Sequence, residues 1–288
     1  MPNSMHKKQI VIIGLGPGGA ATATFLARAG FQVRAFDRLV TPQLKVGESL
    51  APAAHTVMQE LGIVAEMESG PHLKCFGNQS VWGHPQVHYT DYITHPIGHG
   101  WHVERVVFEQ ILVQKAQEAG VAVNRGVEIR TANRVDQRWE LVVKLSDGQI
   151  QEIEADFVVD ASGRNAWLMR RLGIESLYVD RQLALTAFLQ CPRGSISGGA
   201  SLVEATADGW WYSAPIPGDR MVTAFLCAPN ADQRREWLDL LGWKTLLADA
   251  PFTRQRLAEY AWEFERKPKF VAADSRIQQR LTGDGWLA

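Results

Sequence analysis

Residues 9–37 read "QIVIIGLGPGGAATATFLARAGFQVRAFD", and this stretch decides the fold. A β-branched run leads into Gly14-x-Gly16-x-x-Gly19, a small-residue segment of helical character runs to Gly30, and a second apolar run ends at Asp37. The order is strand, helix, strand. Each glycine has its own reason to be there: Gly14 for the tight turn, Gly16 for close approach of backbone to a pyrophosphate, Gly19 for helix–strand packing. The free N–H groups at the start of the helix then face the phosphates. Asp37 is placed to accept hydrogen bonds from a ribose, and its charge disfavours a 2′-phosphate, so FAD or NAD is preferred to NADP.

Outward from this unit, residues 51–62 read as a helix, residues 101–120 as one long amphipathic helix, and residues 121–160 as strands with a hairpin turn at Ser146-Asp147-Gly148. Beyond Tyr178 the pattern changes to strands (181–190, 200–206, 209–216, 220–226), followed by two short helices around Trp237 and Leu257. The expected fold is α/β: a doubly wound, Rossmann-like dinucleotide domain (1–75, 98–178 and 270–288) with an inserted, mainly β substrate domain (76–97 and 179–269). Thirty basic against thirty-one acidic residues give a net charge of −1, which supplies no field to attract nucleic acid or an anionic membrane. Cys75, Cys191 and Cys227 lie far apart, which suits buried thiols and neither a disulfide framework nor a zinc knuckle. Lys7 and Lys8 precede the first apolar run, but glycines and Pro17 interrupt it well short of a spanning helix. It reads as a first strand without a signal peptide, and a cytoplasmic location is expected.

A second strand-end motif, "DFVVDASGRNAWLMRRLG" (156–173), does not belong to a simple NAD domain. It resembles the Asp-Ala-Ser/Thr-Gly segment of two-domain FAD oxidoreductases, although Ser162 also serves as an ordinary N-cap. "VGESLAP" (46–52) resembles the Gly-Glu-Ser/Thr segment that lies beside the flavin in flavin-dependent halogenases and their hydroxylase relatives, with Gly47 admitting backbone to the ring and Ser49 capping the next helix. "GPHLKCFGNQSVWG" (70–83), "GHGWHVERVVFEQILVQKAQEAGV" (98–121) and "GWWYSAPIPGDRMVTAFL" (209–226) extend the likeness. Together they look like the FAD-dependent monooxygenases that mature tryptophylquinone cofactors of amino-acid oxidases and amine dehydrogenases. The resemblance implies FAD held by Gly14, Gly16, Gly19, Asp37, Arg38, Gly47, Glu48, Ser49, Arg105, Asp160 and Gly163. It also implies hydroxylation of an aromatic ring, including a tryptophan of a partner polypeptide, with NAD(P)H or a separate flavin reductase left open as electron source.

Lys74 lies near the place of the lysine on which halogenases depend, with altered spacing around it. Trp210 and Pro215 match the ends of the halogenase W-x-W-x-I-P signature, whereas Tyr212 and Ala214 replace its second Trp and its Ile. That departure favours hydroxylation over the alternative of a halogenase acting on a small aromatic. Trp101, Trp210, Trp211 and Tyr212 are expected as substrate-pocket walls. His99 and His102 are candidates to face the flavin–substrate cavity and shuttle a proton near neutral pH. His84, His88 and His95 have no carboxylate or thiolate at ligand spacing, so no metal is expected. The family pattern continues past "GDGWLA" into a strand and a Gly-Asp-Ala segment. A third reading is therefore a catalytically incomplete fragment that binds FAD weakly or not at all.

Overall fold

The computed structural model describes residues 7–196, 199–229 and 236–288. Residues 1–6, part of the segment read as lacking a signal peptide, lie outside them. Alternate residues of the first strand, Gln9–Ile13, enter two different cores, which explains its unbroken apolar run. Ile10 and Ile12 pack under the helices Pro17–Arg28 and Arg105–Glu118, while Val11 and Ile13 pack on the other face against Trp139, Leu141 and Val143. The first strand pairs in parallel with Gln32–Asp37 on one side and Phe157–Asp160 on the other. Ala122–Arg125 extends this sheet at one edge, and the hairpin Thr282–Gly283/Trp286–Leu287 at the other. One face of the sheet is covered by helices. The opposite face is covered by the antiparallel strands Glu128–Val135, Arg138–Lys144 and Ile150–Ala155. The turn at Ser146-Asp147-Gly148 forms as expected, with Gly148 N–H donating to Leu145 O at 3.0 Å.

Among the described residues the second large sheet has eight strands and includes Gly77–Val81, His88–Asp91, Leu183–Gln190, Ser201–Thr206, Gly209–Ile216 and Arg220–Cys227. One face carries Trp211, Phe225 and Leu185 against the helices Leu240–Leu247 and Pro251–Ala258. Buried Glu204 reaches the start of the second helix, accepting from Phe252 N–H at 3.0 Å and Thr253 N–H at 2.6 Å. The other face presents Tyr212, Ala214 and Ile216 toward the nucleotide unit.

A small three-stranded sheet, Ser49–Leu50, Gly100–His102 and Leu73–Cys75, joins the two. It corrects two expectations. The long helix begins at Arg105, because residues 100–102 are claimed by strand pairing on both sides. Ser49 is likewise a strand residue, so the following helix, Ala54–Leu61, has Ala53 at its N-cap and no side-chain cap. All three cysteines are buried. Among the described residues no helix is long and apolar enough to cross a membrane.

Candidate functional site

The first strand ends in a turn that only glycine allows. Gly14 has φ +104°, and a Cβ there would sit 2.4 Å from Ala161 O, in the turn after the neighbouring strand. A Cβ on Gly19 would lie 2.0 Å from Gly14 O, so helix Pro17–Arg28 rests directly on that turn. Gly16 differs: a Cβ there would meet no atom within 4 Å, because the position opens onto a cleft.

That cleft has a volume of about 740 Å³. It is lined by Gly14, Gly16, Gly19, Asp37, Arg38, Arg105, Asp160 and Gly163 among others, and so unites residues from both strand-end motifs. The size is suited to a cofactor. Asp37 anchors the mouth, accepting from Leu15 N–H at 2.9 Å and Leu39 N–H at 2.8 Å. A carboxylate has about four lone-pair sites, so acceptor capacity remains for ribose hydroxyls.

Asp160 lines the cleft, is buried, and also orders the loop beside it. Its oxygens accept from Ser162 N–H at 3.1 Å and Leu168 N–H at 2.8 Å, while the Ser162 hydroxyl accepts from Trp167 N–H at 2.8 Å. Both side chains thus hold the loop carrying Gly163 and start the helix Trp167–Arg171. Basic side chains gather around the cleft: Arg38, Lys45, Arg105 and Arg164 all line it. Arg105 Nε and Lys45 Nζ each bind Glu109 at 2.8 Å, and Arg105 Nη1 donates to the carbonyl of Gly47. Gly47, Glu48 and Ser49 stand behind Arg105. Glu48, itself buried, accepts from Gly47 N–H at 2.8 Å and from the Tyr212 hydroxyl at 2.6 Å. Nothing in residue spacing pointed to the Glu48–Tyr212 and Lys45–Glu109 contacts, because each joins separate elements.

The candidates for chemistry fall into two places. Lys74 is half-exposed, pairs with Glu68 at 2.9 Å, and sits 5.7 Å above the Trp101 ring. His99 packs edge-on against the same ring, with centroids 4.9 Å apart. Trp101 is 3% exposed and belongs to the helix-side core, so it supports this cluster from beneath instead of walling an open pocket. His102 is fully buried with neither ring nitrogen hydrogen-bonded, and burial, followed by the charge of Arg256, lowers its pKa to about 4. It is therefore neutral at pH 7 and cannot shuttle protons there.

Strand alternation separates the remaining aromatics. Trp211 is buried in the core against Trp243 and Phe225, which removes it from the pocket. Trp210 and Tyr212 share the opposite face, where Trp210 meets the exposed Trp82 edge-on at 6.0 Å. Burial first, and then the neighbouring Glu48 carboxylate, push the Tyr212 phenol well above its ordinary value, so it stays protonated and donates. Among the described residues no group of three or more His, Cys, Asp or Glu could hold a metal ion.

A glycine-rich turn over a helix N-terminus, a carboxylate closing the second strand and a cleft ringed by basic groups define a doubly wound dinucleotide-binding protein. The chain belongs to the FAD binding domain family, whose model matches residues 7–215. FAD is therefore the dinucleotide, and the cleft fits it: Gly16, Gly18 and Gly163 leave backbone bare toward the cavity, and four cations line it.

The chain is 32% identical over 193 residues to the 1H-pyrrole-2-carbonyl-[peptidyl-carrier protein] chlorinase of Pseudomonas fluorescens, a match covering 59% of this chain and 42% of that protein. It thus spans under half of that relative's length. It is 25% identical to the protein of Marinomonas mediterranea named "Putative FAD-dependent oxidoreductase LodB", over 99% of this chain and 79% of LodB. The fold matches that of the myxobacterial chondrochloren halogenase CndH with a TM-score of 0.86 and 22% identity, over 98% of this chain and 67% of CndH.

Proposed function

We propose that this chain is an FAD-dependent oxidoreductase of the monooxygenase type that hydroxylates an electron-rich aromatic ring. The observation behind this reading is the joining of the flavin cleft to the large sheet through Glu48 and Tyr212, at the position where Tyr replaces the second Trp of the halogenase signature. The near end-to-end likeness to LodB supports an oxidoreductase. When bound, the cofactor supplies activation of O₂ for oxygen transfer. Gly14, Gly16, Gly19, Asp37, Arg38 and Arg105 bind and orient it, with Asp160 and Gly163 shaping the far wall. Residues 76–97 and 179–269 form the substrate unit, with Trp210 facing the substrate. The setting is cytoplasmic, with electrons supplied by NAD(P)H or by a separate flavin reductase.

A tryptophan within a partner polypeptide is the favoured substrate. Two relatives, by name a chlorinase and a brominase of a pyrrole group on a peptidyl-carrier protein, support a protein-borne ring, and their names also support the halogenase reading. A second reading, halogenation of a small aromatic, is favoured by the placement of Lys74, whose strand lies in the same small sheet as Ser49. Its pairing with Glu68 counts against this, because the ammonium is already engaged.

The test supplies the chain with FAD, a flavin reductase, NADH, O₂, bromide and a tryptophan-containing peptide, and reads product masses. A gain of oxygen is expected, unchanged in Lys74→Ala. Brominated product that disappears in Lys74→Ala would reverse the order of the two readings.

A further inference from the structure

We propose that Tyr212 is a positioning residue for the flavin cleft, acting on Arg105 through the Glu48 carboxylate and the Gly47 peptide. The proposal rests on the reading that Arg105 faces FAD.

The chain of contacts is continuous. Tyr212 stands on strand Gly209–Ile216 of the large sheet, and its hydroxyl donates to Glu48 Oε1 at 2.6 Å. A phenol has one proton, so the Ser49 hydroxyl at 2.7 Å must be the donor in its own contact with Tyr212. The other Glu48 oxygen accepts from Gly47 N–H at 2.8 Å, and the carbonyl of Gly47 accepts from Arg105 Nη1. Arg105 then shares Glu109 with Lys45, and both cations line the cleft.

Gly47 is the compliant link. Its φ is +105°, and a Cβ there would lie 2.8 Å from Arg105 Nη1, so the peptide is pressed against the guanidinium. The Gly47 N–H and C=O belong to successive peptide units that meet at its Cα, and the Glu48 carboxylate fixes the first unit by holding its N–H, which limits the directions open to the carbonyl of the second. Glu48 is 4% exposed, so water cannot readily take the place of a lost donor. The raised pKa of Tyr212 keeps it a donor throughout the physiological range. The large sheet thereby sets the aim of a cleft arginine, and cofactor binding and sheet packing become linked.

FAD titration into the whole chain, followed by flavin fluorescence, tests this. Tyr212→Phe should raise the Kd about tenfold. Glu48→Gln should do likewise, because an amide can accept from Tyr212 or from Gly47 N–H but presents its NH₂ to the other. Thr186→Val, which removes a buried hydrogen bond to Lys269 O in the same sheet, should lower the Tm and leave the Kd within twofold. The decisive readout is non-additivity: if Tyr212 works through Arg105, Tyr212→Phe should have almost no further effect in an Arg105→Ala background. An unchanged Kd in Tyr212→Phe, or fully additive losses, overturns the proposal. An unchanged Kd in Arg105→Ala removes the reading beneath it, and the proposal with it.

Discussion

Gly16→Val separates binding from folding at one position. The backbone at Gly16 has φ −68° and ψ −179°, a conformation open to any residue, and an added Cβ meets no atom within 4 Å. The fold should therefore tolerate valine at a cost of about 1 kcal/mol for a poor N-cap, or a Tm loss of roughly 2–4 °C. The new methyl groups project into the cleft where pyrophosphate must approach. Losing two charge-assisted hydrogen bonds at about 1.5–3 kcal/mol each weakens FAD binding by roughly 10²- to 10⁴-fold. Gly14→Val is the contrasting variant, because φ +104° and Ala161 O at 2.4 Å forbid a side chain there, and it should unfold at markedly lower temperature. FAD titration, far-UV circular dichroism and a thermal melt of each variant provide the comparison. Binding by Gly16→Val within threefold of the parent would refute the reasoning.

Two further predictions concern stability. His102, whose pKa is about 4 in the fold and about 6.5 in the unfolded chain, leaves the unfolded state binding more protons between those values. Stability should fall by up to about 3 kcal/mol as pH drops from 6.5 toward 4, and melts of His102→Phe across that range should be flatter than the parent's. Glu204→Ala strips the acceptor from Phe252 and Thr253 N–H at the start of helix Pro251–Ala258. It should cost about 2–4 kcal/mol, and a Tm within 2 °C of the parent would contradict the assigned cap.

The nucleotide half was legible because its determinants are local. Gly14, Gly16 and Gly19 sit on one turn, and the apolar run 9–13 has a single reading once buried on both faces. Trp211 was misplaced because adjacent strand residues point to opposite faces, and composition alone could not say which face the helices cover. His102 failed for a related reason: strand pairing with Ser49 and Leu73 buried an imidazole that, on an exposed helix start, would titrate normally. Asp160 lines the cleft, but its carboxylate also accepts from backbone N–H groups that no spacing rule reveals. The Tyr212–Glu48 contact spans 164 positions and required the two sheets to be docked before it could be seen.

The central claim is that FAD occupies the cleft between the Gly14–Gly19 turn and the Asp160–Gly163 loop. Hydrogen–deuterium exchange of the chain with and without saturating FAD maps this most directly. Slowed exchange is predicted in residues 14–20, 38–39, 47–49 and 162–169, with little change in the helices 240–247 and 251–258 that cover the far face of the large sheet. Protection confined to those helices, or absent from residues 14–20 while FAD is demonstrably bound, would contradict the account.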